Sequence, residues 1–454
     1  MHPLLSLRAS LLLVGSAVPL ARPPRASAVR ACARAAVGRP KAVGWDGARG
    51  LARRAGGAPL REPFTVLGIE TSCDDTGVAV VRSDGEILGE AIASQAELHE
   101  AWGGVVPGIA RDAHRDALGG AVELALRRAG LSSAAEVDAV AVTVGPGLEI
   151  CLRVGCEEAV RLATAHGKAF VAVHHLEAHV LMARLACHPP PPFPFLTLLT
   201  SGGHCQLLLT RGIGDHQVIG STLDDALGEA YDKVARLLEL PVGGGGGPAL
   251  ESLAREGDPS ATPLPVPMRN KPSFDFSLAY HRRLKTAVRL AVERASEEER
   301  ASPAFRAGVA ASFQNAALRH LEMRLTRARD SLGCAPDTLV LSGGVAANAE
   351  LRRRTPSPRD DGAPWRMVVP PPRLCTDNGV MVAWAAAERL KLGLTDAPDV
   401  EHVRARWPLG RPLQGGEEAP LRVSANRNQP RRRPASEPGA VEPTRPKTNA
   451  GSTS

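Results

Sequence analysis

Two stretches of this 454-residue chain follow one plan, and that plan limits the fold more than any other feature. The first is the apolar run F-T-V-L-G-I-E (Phe64–Glu70), which passes through the polar turn T-S-C-D-D-T-G (Thr71–Gly77) into V-A-V-V-R-S. The second is F-L-T-L-L-T (Phe195–Thr200), then the turn S-G-G-H (Ser201–His204), then C-Q-L-L-L-T-R. Short apolar runs bounded by turn residues read as buried strands. Each unit is therefore a pair of strands joined by a tip of phosphate size. Glycines in such a tip let backbone N–H groups close on an oxyanion with no Cβ in the way. Two units of this kind imply two similar lobes facing a cleft.

After the first unit comes a D-G turn at Asp84–Gly85 and a third strand, E-I-L-G-E-A-I-A-S. A three-strand meander with a polar first turn is how an actin-like or sugar-kinase-like ATPase lobe begins, its first turn meeting phosphates with backbone N–H groups and hydroxyls. The expected class is accordingly α/β, with two actin-like lobes. A Gly-Pro turn feeds a helix running to about Arg128, and Asp138–Val144 is a buried strand ending at G-P-G-L. The helix Arg153–Ala165 and the strand Ala169–Val173 follow. Pro189–Pro192 and Pro194 make a stiff spacer. Beyond it, helices are expected at Asp224–Leu238, Leu284–Glu299 and Pro303–Leu332. A strand from Thr338 then enters a Gly-Gly turn before Asn348, a third anion-friendly turn. The expected divisions are 62–190 for the first lobe and 191–409 for the second lobe with a helical insertion.

The ends differ from the middle. Residues 1–61 contain eleven Lys/Arg and one acid, the arginine-rich, acid-poor composition of a mitochondrial transit peptide, so the expected location is the mitochondrial matrix. From residue 410 to 454 large apolar residues almost vanish, and a disordered tail is expected. The formal charge of +7 comes from these ends; residues 62–409 hold 36 Lys/Arg and 43 Asp/Glu, a net of about −7. A nucleic-acid partner must then be held by local clusters such as Arg352–Arg354 or Arg282, Arg283 and Lys285 rather than by a global field. The eight cysteines include no C-x-x-C pair and no dense framework, which points to a reducing compartment and free thiols. No stretch reaches the ~18 uninterrupted apolar residues of a membrane span.

At the end of the strand Ala169–Val173 the chain reads V-H-H-L-E-A-H, and ligand sites of open α/β sheets lie at strand carboxyl ends. His175 and His179, four apart on one helical face, can bind one metal ion. The metalloprotease motif H-E-x-x-H has the same spacing, but its glutamate directly follows the first histidine. Here Glu177 is two positions on, about 200° round the helix, and faces away from such a metal. In L-C-T-D-N-G-V (Leu374–Val380), Thr376 or Asp377 can cap a helix start, and Asp377 can instead be the third metal ligand. Asp232 can accept ribose hydroxyls or a surface ion pair, and Gly243–Gly247 can approach a ring or sugar closely.

With these residues assembled, the chain resembles the TsaD family of tRNA N6-adenosine threonylcarbamoyltransferases, its presequence suggesting the mitochondrial branch. The resemblance rests on G-I-E-T-S-C-D-D-T-G, G-G-V-V-P, V-T-V-G-P-G-L, V-H-H-L-E-A-H, S-G-G-H-C-Q-L, D-D-A-L-G-E-A-Y-D-K, S-G-G-V-A-A-N-A-E-L-R and C-T-D-N-G, in that order between about Phe64 and Leu392. It implies one divalent metal ion, iron or zinc, on His175, His179 and Asp377. It also implies that Leu199, Thr200, Ser201, Gly202, Gly203, Asp232, Gly247, Glu251 and Asn348 surround the adenylate part of threonylcarbamoyl-AMP. The implied reaction moves the threonylcarbamoyl group to N6 of the adenosine 3′ of the anticodon in tRNAs reading codons that begin with A. Asp74 is the candidate proton acceptor. Implied partners are tRNA and threonylcarbamoyl-AMP, with room for a homodimer and no membrane. The chain departs from the family pattern at Gly108, where an acid is usual, in three extra residues within Asp275–Thr286, and in a longer glycine run before Pro248.

Two other functions share parts of this pattern. A small-molecule kinase or ATPase of the same fold would hold Mg²⁺ through carboxylates, water and phosphates, and needs no imidazole ligands. A scaffold without activity would have no use for intact metal and glycine motifs.

Overall fold

Thr65–Glu70 forms β1, buried from its second residue to its last. The polar turn reverses the chain into β2 (Asp75–Arg82), antiparallel to β1 with Gly77 opposite Glu70 and Arg82 opposite Thr65. Gly85, at φ +99°, makes the next reversal possible, and β3 (Ile87–Ser94) returns along β2. Next come α1 (Ala96–Glu100) and α2 (Pro107–Arg128), whose proline stands where a missing N–H leaves nothing unpaired. Then β4 (Ala139–Gly145) lies parallel to β1, α3 (Glu149–His166) stops at left-handed Gly167, and β5 (Ala169–His174) lies parallel to β4. The sheet order is β3-β2-β1-β4-β5. Every residue of β4 is buried, as expected of a parallel strand covered on both faces.

This computed structural model describes residues 60–412 apart from 101, 103, 241–245, 272, 279–282, 333–335 and 356–364. The chain divides into Met1–Arg49 and Gly50–Ser454. The first unit falls outside the described residues, as do nearly all of the expected transit segment, most of the expected tail, and residues 279–282 of the Asp275–Thr286 stretch, Arg282 among them.

After α4 (His175–Ala186) the plan repeats with β6 (Phe195–Thr200), β7 (Cys205–Gly212) and β8 (Asp215–Ser221). Between β8 and the next strand lie α5 (Leu227–Leu237), α6 (Gly246–Ala254), α7 (Arg283–Arg294), α8 (Glu297–Ala301) and α9 (Pro303–Ser331). The chain then forms β9 (Thr338–Ser342), α10 (Ala349–Arg354), β10 (Arg366–Val368) and α11 (Gly379–Leu390), and β11 (Arg411–Pro412) joins the edge. The second sheet has the order β10-β9-β6-β7-β8-β11. From β8 to β10 it matches the first sheet strand for strand, with the same antiparallel and parallel pairings. The fold is thus the duplicated α/β architecture of the actin-like and sugar-kinase-like class.

Two local expectations change. The helix expected at Leu284–Glu299 is broken, because Ser296 caps a new start by accepting from Glu299 N–H while Glu299 reaches back to the Ser296 N–H. The helix expected from Asp224 begins at Leu227, since the Asp224 carboxylate accepts from the N–H of Leu278.

The two terminal helices of the repeats, α4 after β5 and α11 after β10, decide where a site can form. α11 lies on the first sheet, against Phe64, Val66, Ala79, Val81, Ala139 and Ala141. α4 shows one face to α11 through Ala178, Leu181 and Met182, and another to the second sheet through Leu176, Val180 and Ala183. Close seating of α11 depends on glycine: a Cβ on Gly68 would lie 2.4 Å from the nitrogen of Ala383, and one on Gly379 would lie 2.4 Å from the nitrogen of Ala79. Residues 396–412 run back along both sheets, from Asp396 N–H on the Phe170 carbonyl (2.9 Å) to Arg411 opposite Gln217. On α9, His320 donates to the carbonyl of Pro267 (3.0 Å), and the buried Arg324 guanidinium donates to those of Met268, Lys271 and Ser273.

Candidate metal centre

Strand β5 hands over to α4 at His174, whose Nδ1 accepts from the N–H of Leu176 as an N-cap while its Nε2–H donates to the Trp407 carbonyl (3.0 Å). Burial, opposed by Glu177, pushes His174 down to about 3, so it is neutral. The next residue, His175, opens the helix, and His179 stands one turn on; their ring centroids are 4.8 Å apart and nearly perpendicular.

Asp377 meets them from the start of α11. Its Oδ1 is 2.9 Å from Nε2 of His179 and 3.6 Å from Nε2 of His175. One ligand atom from each of the three lies within 4.8 Å of the others, the one such cluster among the described residues. Asp377 does not cap α11. That role falls to Asn378, whose Oδ1 accepts from Met381 N–H (2.9 Å), which leaves Asp377 free to face the histidines. Burial works against charge on Asp377, but the neighbouring His175 and the hydrogen bond from His179 outweigh it and hold the carboxyl below its ordinary range. Burial likewise opposes charge on His175, and the Asp377 and Glu70 carboxylates overcome it, raising the group to about 9.

The donor set suits a divalent metal. Two imidazoles and a carboxylate converge at the ends of two helices, and both His175 and His179 are buried, with Nδ1 of His179 finding no partner. Sequence reasoning missed two neighbours. Glu70, fully buried, reaches Nδ1 of His175 with Oε2 at 3.1 Å. Its signal was an acid closing an otherwise apolar strand. His204, from S-G-G-H, is pushed down to about 4, by burial first and then by the charges of His175 and His179. The first turn borders the cluster, since Ser72 Oγ is 3.2 Å from Nδ1 of His175. Asp74 in that turn is half-buried. With burial foremost, the carboxylates of Asp74 and Asp377 hold the Cys73 thiol well above its ordinary range.

The other predicted residues gather in the second half. Ser201 Oγ accepts from His204 N–H (3.1 Å), and a Cβ on Gly202 or Gly203 would meet nothing, so the S-G-G-H tip is open on its outer side. Leu199 spends its side chain in the core against α4, and Thr200 is buried with Oγ1 unpaired. Asp232, rather than standing free, accepts from Gly246 N–H (2.7 Å) at the start of α6; Gly243–Gly245 lie outside the described residues. Space beside Gly247 is open. Glu251 accepts from Ala349 N–H (3.0 Å), and Asn348 caps α10 while donating to Gln314 (3.2 Å). Asp232, Glu251 and Asn348 thus tie α5, α6, α9 and α10 together.

The Arg352–Arg354 cluster does not stand as a free patch. Arg352 donates to the Ala346 carbonyl, Arg353 pairs with Glu350, and Arg354 forks onto Glu322. Lys285 is exposed on α7. Of the cysteines, Cys73, Cys151, Cys156, Cys187, Cys205 and Cys375 are free thiols, and no described helix is long and apolar enough to cross a membrane.

Comparisons with known proteins agree with this picture. The family model for TsaD, tRNA N6-adenosine threonylcarbamoyltransferase, matches residues 86–384. The chain is 46% identical over 369 residues to the probable mitochondrial tRNA N6-adenosine threonylcarbamoyltransferase of Arabidopsis thaliana, covering 76% of this chain and 75% of that one. It is 48% identical over 360 residues to the tRNA N6-adenosine threonylcarbamoyltransferase of Rhizobium etli, covering 76% of this chain and 95% of that one. Among solved structures it is similar to (R)-2-hydroxyglutaryl-CoA dehydratase component A of Acidaminococcus fermentans, at 13% identity and a TM-score of 0.43 over 72% of this chain and 99% of that one. A family match across most of the described body, with a relative 48% identical over 95% of its length, makes this chain a member of the TsaD family of tRNA N6-adenosine threonylcarbamoyltransferases.

Proposed function

We propose that this enzyme transfers the threonylcarbamoyl group of threonylcarbamoyl-AMP to N6 of the adenosine 3′ of the anticodon in mitochondrial tRNAs reading codons that begin with A. The observation that carries the reading is the meeting of the buried His175 and His179 with the half-buried Asp377 at the starts of α4 and α11, bordered by the first polar turn. Residues 1–61 direct the protein to the mitochondrial matrix, a reading supported by their composition and by the location in the Arabidopsis relative's name.

The adenine amine is neutral and a weak nucleophile, so the rate must come from positioning and from stabilising oxygen charge. His175, His179 and Asp377 hold one divalent ion, iron or zinc, which supplies Lewis acidity toward carbonyl and phosphate oxygens when bound. The open S-G-G-H tip offers backbone N–H groups to the phosphate, while Thr200, Asp232, Gly247, Glu251 and Asn348 shape the adenylate side. The amine nitrogen attacks the carbamoyl carbon, the bond from that carbon to the phosphate oxygen breaks, and AMP leaves. The proton lost from N6 goes to the Asp74 carboxylate.

The test uses residues 62–454, loaded with metal and supplied with threonylcarbamoyl-AMP and a transcript of such a mitochondrial tRNA. Nucleoside mass spectrometry should find threonylcarbamoylated adenosine at that position. A folded, metal-loaded protein that leaves the transcript unmodified would overturn the proposal, and cytosolic location of the tagged full chain would overturn its mitochondrial part.

A further inference from the structure

Metal-binding histidines are commonly aimed by a group on the far side of the ring, and that partner fixes which nitrogen keeps its proton. Among the three proposed ligands, His175 alone shows such a partner. Nδ1 faces Glu70 Oε2 at 3.1 Å, and Nε2 faces Asp377. Glu70 is wholly buried, and each of its oxygens is already occupied. Oε1 accepts from Ser72 N–H at 2.6 Å, while Oε2 accepts from the Thr143 hydroxyl at 2.5 Å and from His175. Those bonds come from the first turn, β4 and α4, so the carboxylate cannot swing aside without breaking contacts to three elements.

We propose that Glu70 is a positioning residue that holds the proton of His175 on Nδ1 and so presents the Nε2 lone pair to the metal. This rests on the metal reading above. His179 has no equivalent: its Nδ1 is buried without a partner, so of the two histidines His175 is the one whose orientation is set in advance. The carboxylate also brings a second negative charge beside Asp377, which matches a divalent cation held by two neutral imidazoles. Glutamine cannot substitute. Every partner of Glu70 is a donor, so whichever way an amide turns, its NH₂ faces another donor.

The experiment is a Zn²⁺ titration of residues 62–454 against a competing chelator, for the parent, Glu70→Gln and His175→Ala, with melting curves of each metal-free protein. Glu70→Gln should bind Zn²⁺ about 10–100-fold more weakly. Its Co²⁺ form should also show altered visible absorption bands as His175 leaves its set orientation. Parent-level Zn²⁺ affinity in a folded Glu70→Gln protein would overturn the inference. If that variant does not fold, Thr143→Val serves instead: it keeps the carboxylate but removes one of its anchors, and a severalfold loss of affinity is expected, parent affinity being the overturning result. Unimpaired binding in His175→Ala would instead mean that the triad reading itself fails, an outcome separable from failure at Glu70.

Discussion

Nε2 of His179 lies 2.9 Å from Oδ1 of Asp377 across 198 residues of chain. Nothing local to either residue brings them together; they meet because α4 and α11 pack side by side between the two sheets. The contact is a product of the whole fold, which makes it a sensitive place to separate metal binding from stability.

His175→Ala, His179→Ala and Asp377→Ala should each lose bound metal together with threonylcarbamoyl transfer, since a three-ligand site has no spare protein donor. Melting temperature should change little, because a body of this size does not depend on one ion for its core. Metal content by elemental analysis decides the matter. Full occupancy and full transfer in the Asp377 variant would break the triad.

Gly68→Ala should cost about 1–3 kcal/mol and also weaken metal binding, although Gly68 touches no ligand. Its new Cβ would collide with the backbone of Ala383 and Gly379, neither of which is a movable side chain, so the start of α11 and Asp377 with it must shift. Gly119, in the interior of α2, is the contrasting case. A Cβ there meets nothing, and Gly119→Ala should stabilise by about 0.5–1 kcal/mol. Urea melts of both variants, with Zn²⁺ affinity for the first, check the pair.

Acid should destabilise the fold partly through His320. Burial, helped by Arg324, pushes it down to about 4 from an ordinary 6.5. Between those values the unfolded chain binds the proton and the folded one does not. Stability therefore rises with pH across that window, is fully present above about 6.5, and is lost as pH falls toward 4, by a total of about 3 kcal/mol. His320→Gln, which can still donate to Pro267, should flatten this limb in urea melts run from pH 7 to 4.5. A limb of unchanged slope would exclude His320 as its source.

Arg354 should matter to the fold rather than to RNA. Its guanidinium is mostly covered, with two bonds to Glu322 and one to Asn315, so Arg354→Ala should cost about 1–3 kcal/mol. Arg353, 71% exposed and paired among the described residues with Glu350, should cost under about 0.5 kcal/mol on the same change. If either variant reduces the salt dependence of tRNA binding by about one phosphate contact, that arginine meets RNA after all.

What was legible in the sequence is what depends on neighbours in the chain. The two strand-turn-strand units, the His175–His179 spacing and the helix after β5 are all local patterns. Glu70 was not legible as a partner of His175, because 105 residues lie between them and their register is set by β1 and β4 pairing. Asp377 was readable either as a cap or as a ligand. Asn378 takes the cap and leaves Asp377 facing the histidines, something a string of two adjacent capping residues cannot reveal. Asp232 looked free for a ribose; its bond to Gly246 N–H, fourteen residues on, is a contact that composition alone does not specify.

The equivalence of α4 and α11 carries a consequence for symmetry. Each closes one copy of the same strand series, and the proposed metal triad draws two donors from one copy and one from the other. Two identical half-length chains paired about a twofold axis would present the same donors twice, histidines facing histidines or aspartate facing aspartate. An unequal two-plus-one set becomes possible once both copies lie on a single polypeptide and can mutate separately. The proposed ligand set is therefore one that two identical half-length chains could not present and that this single chain, carrying both copies, can.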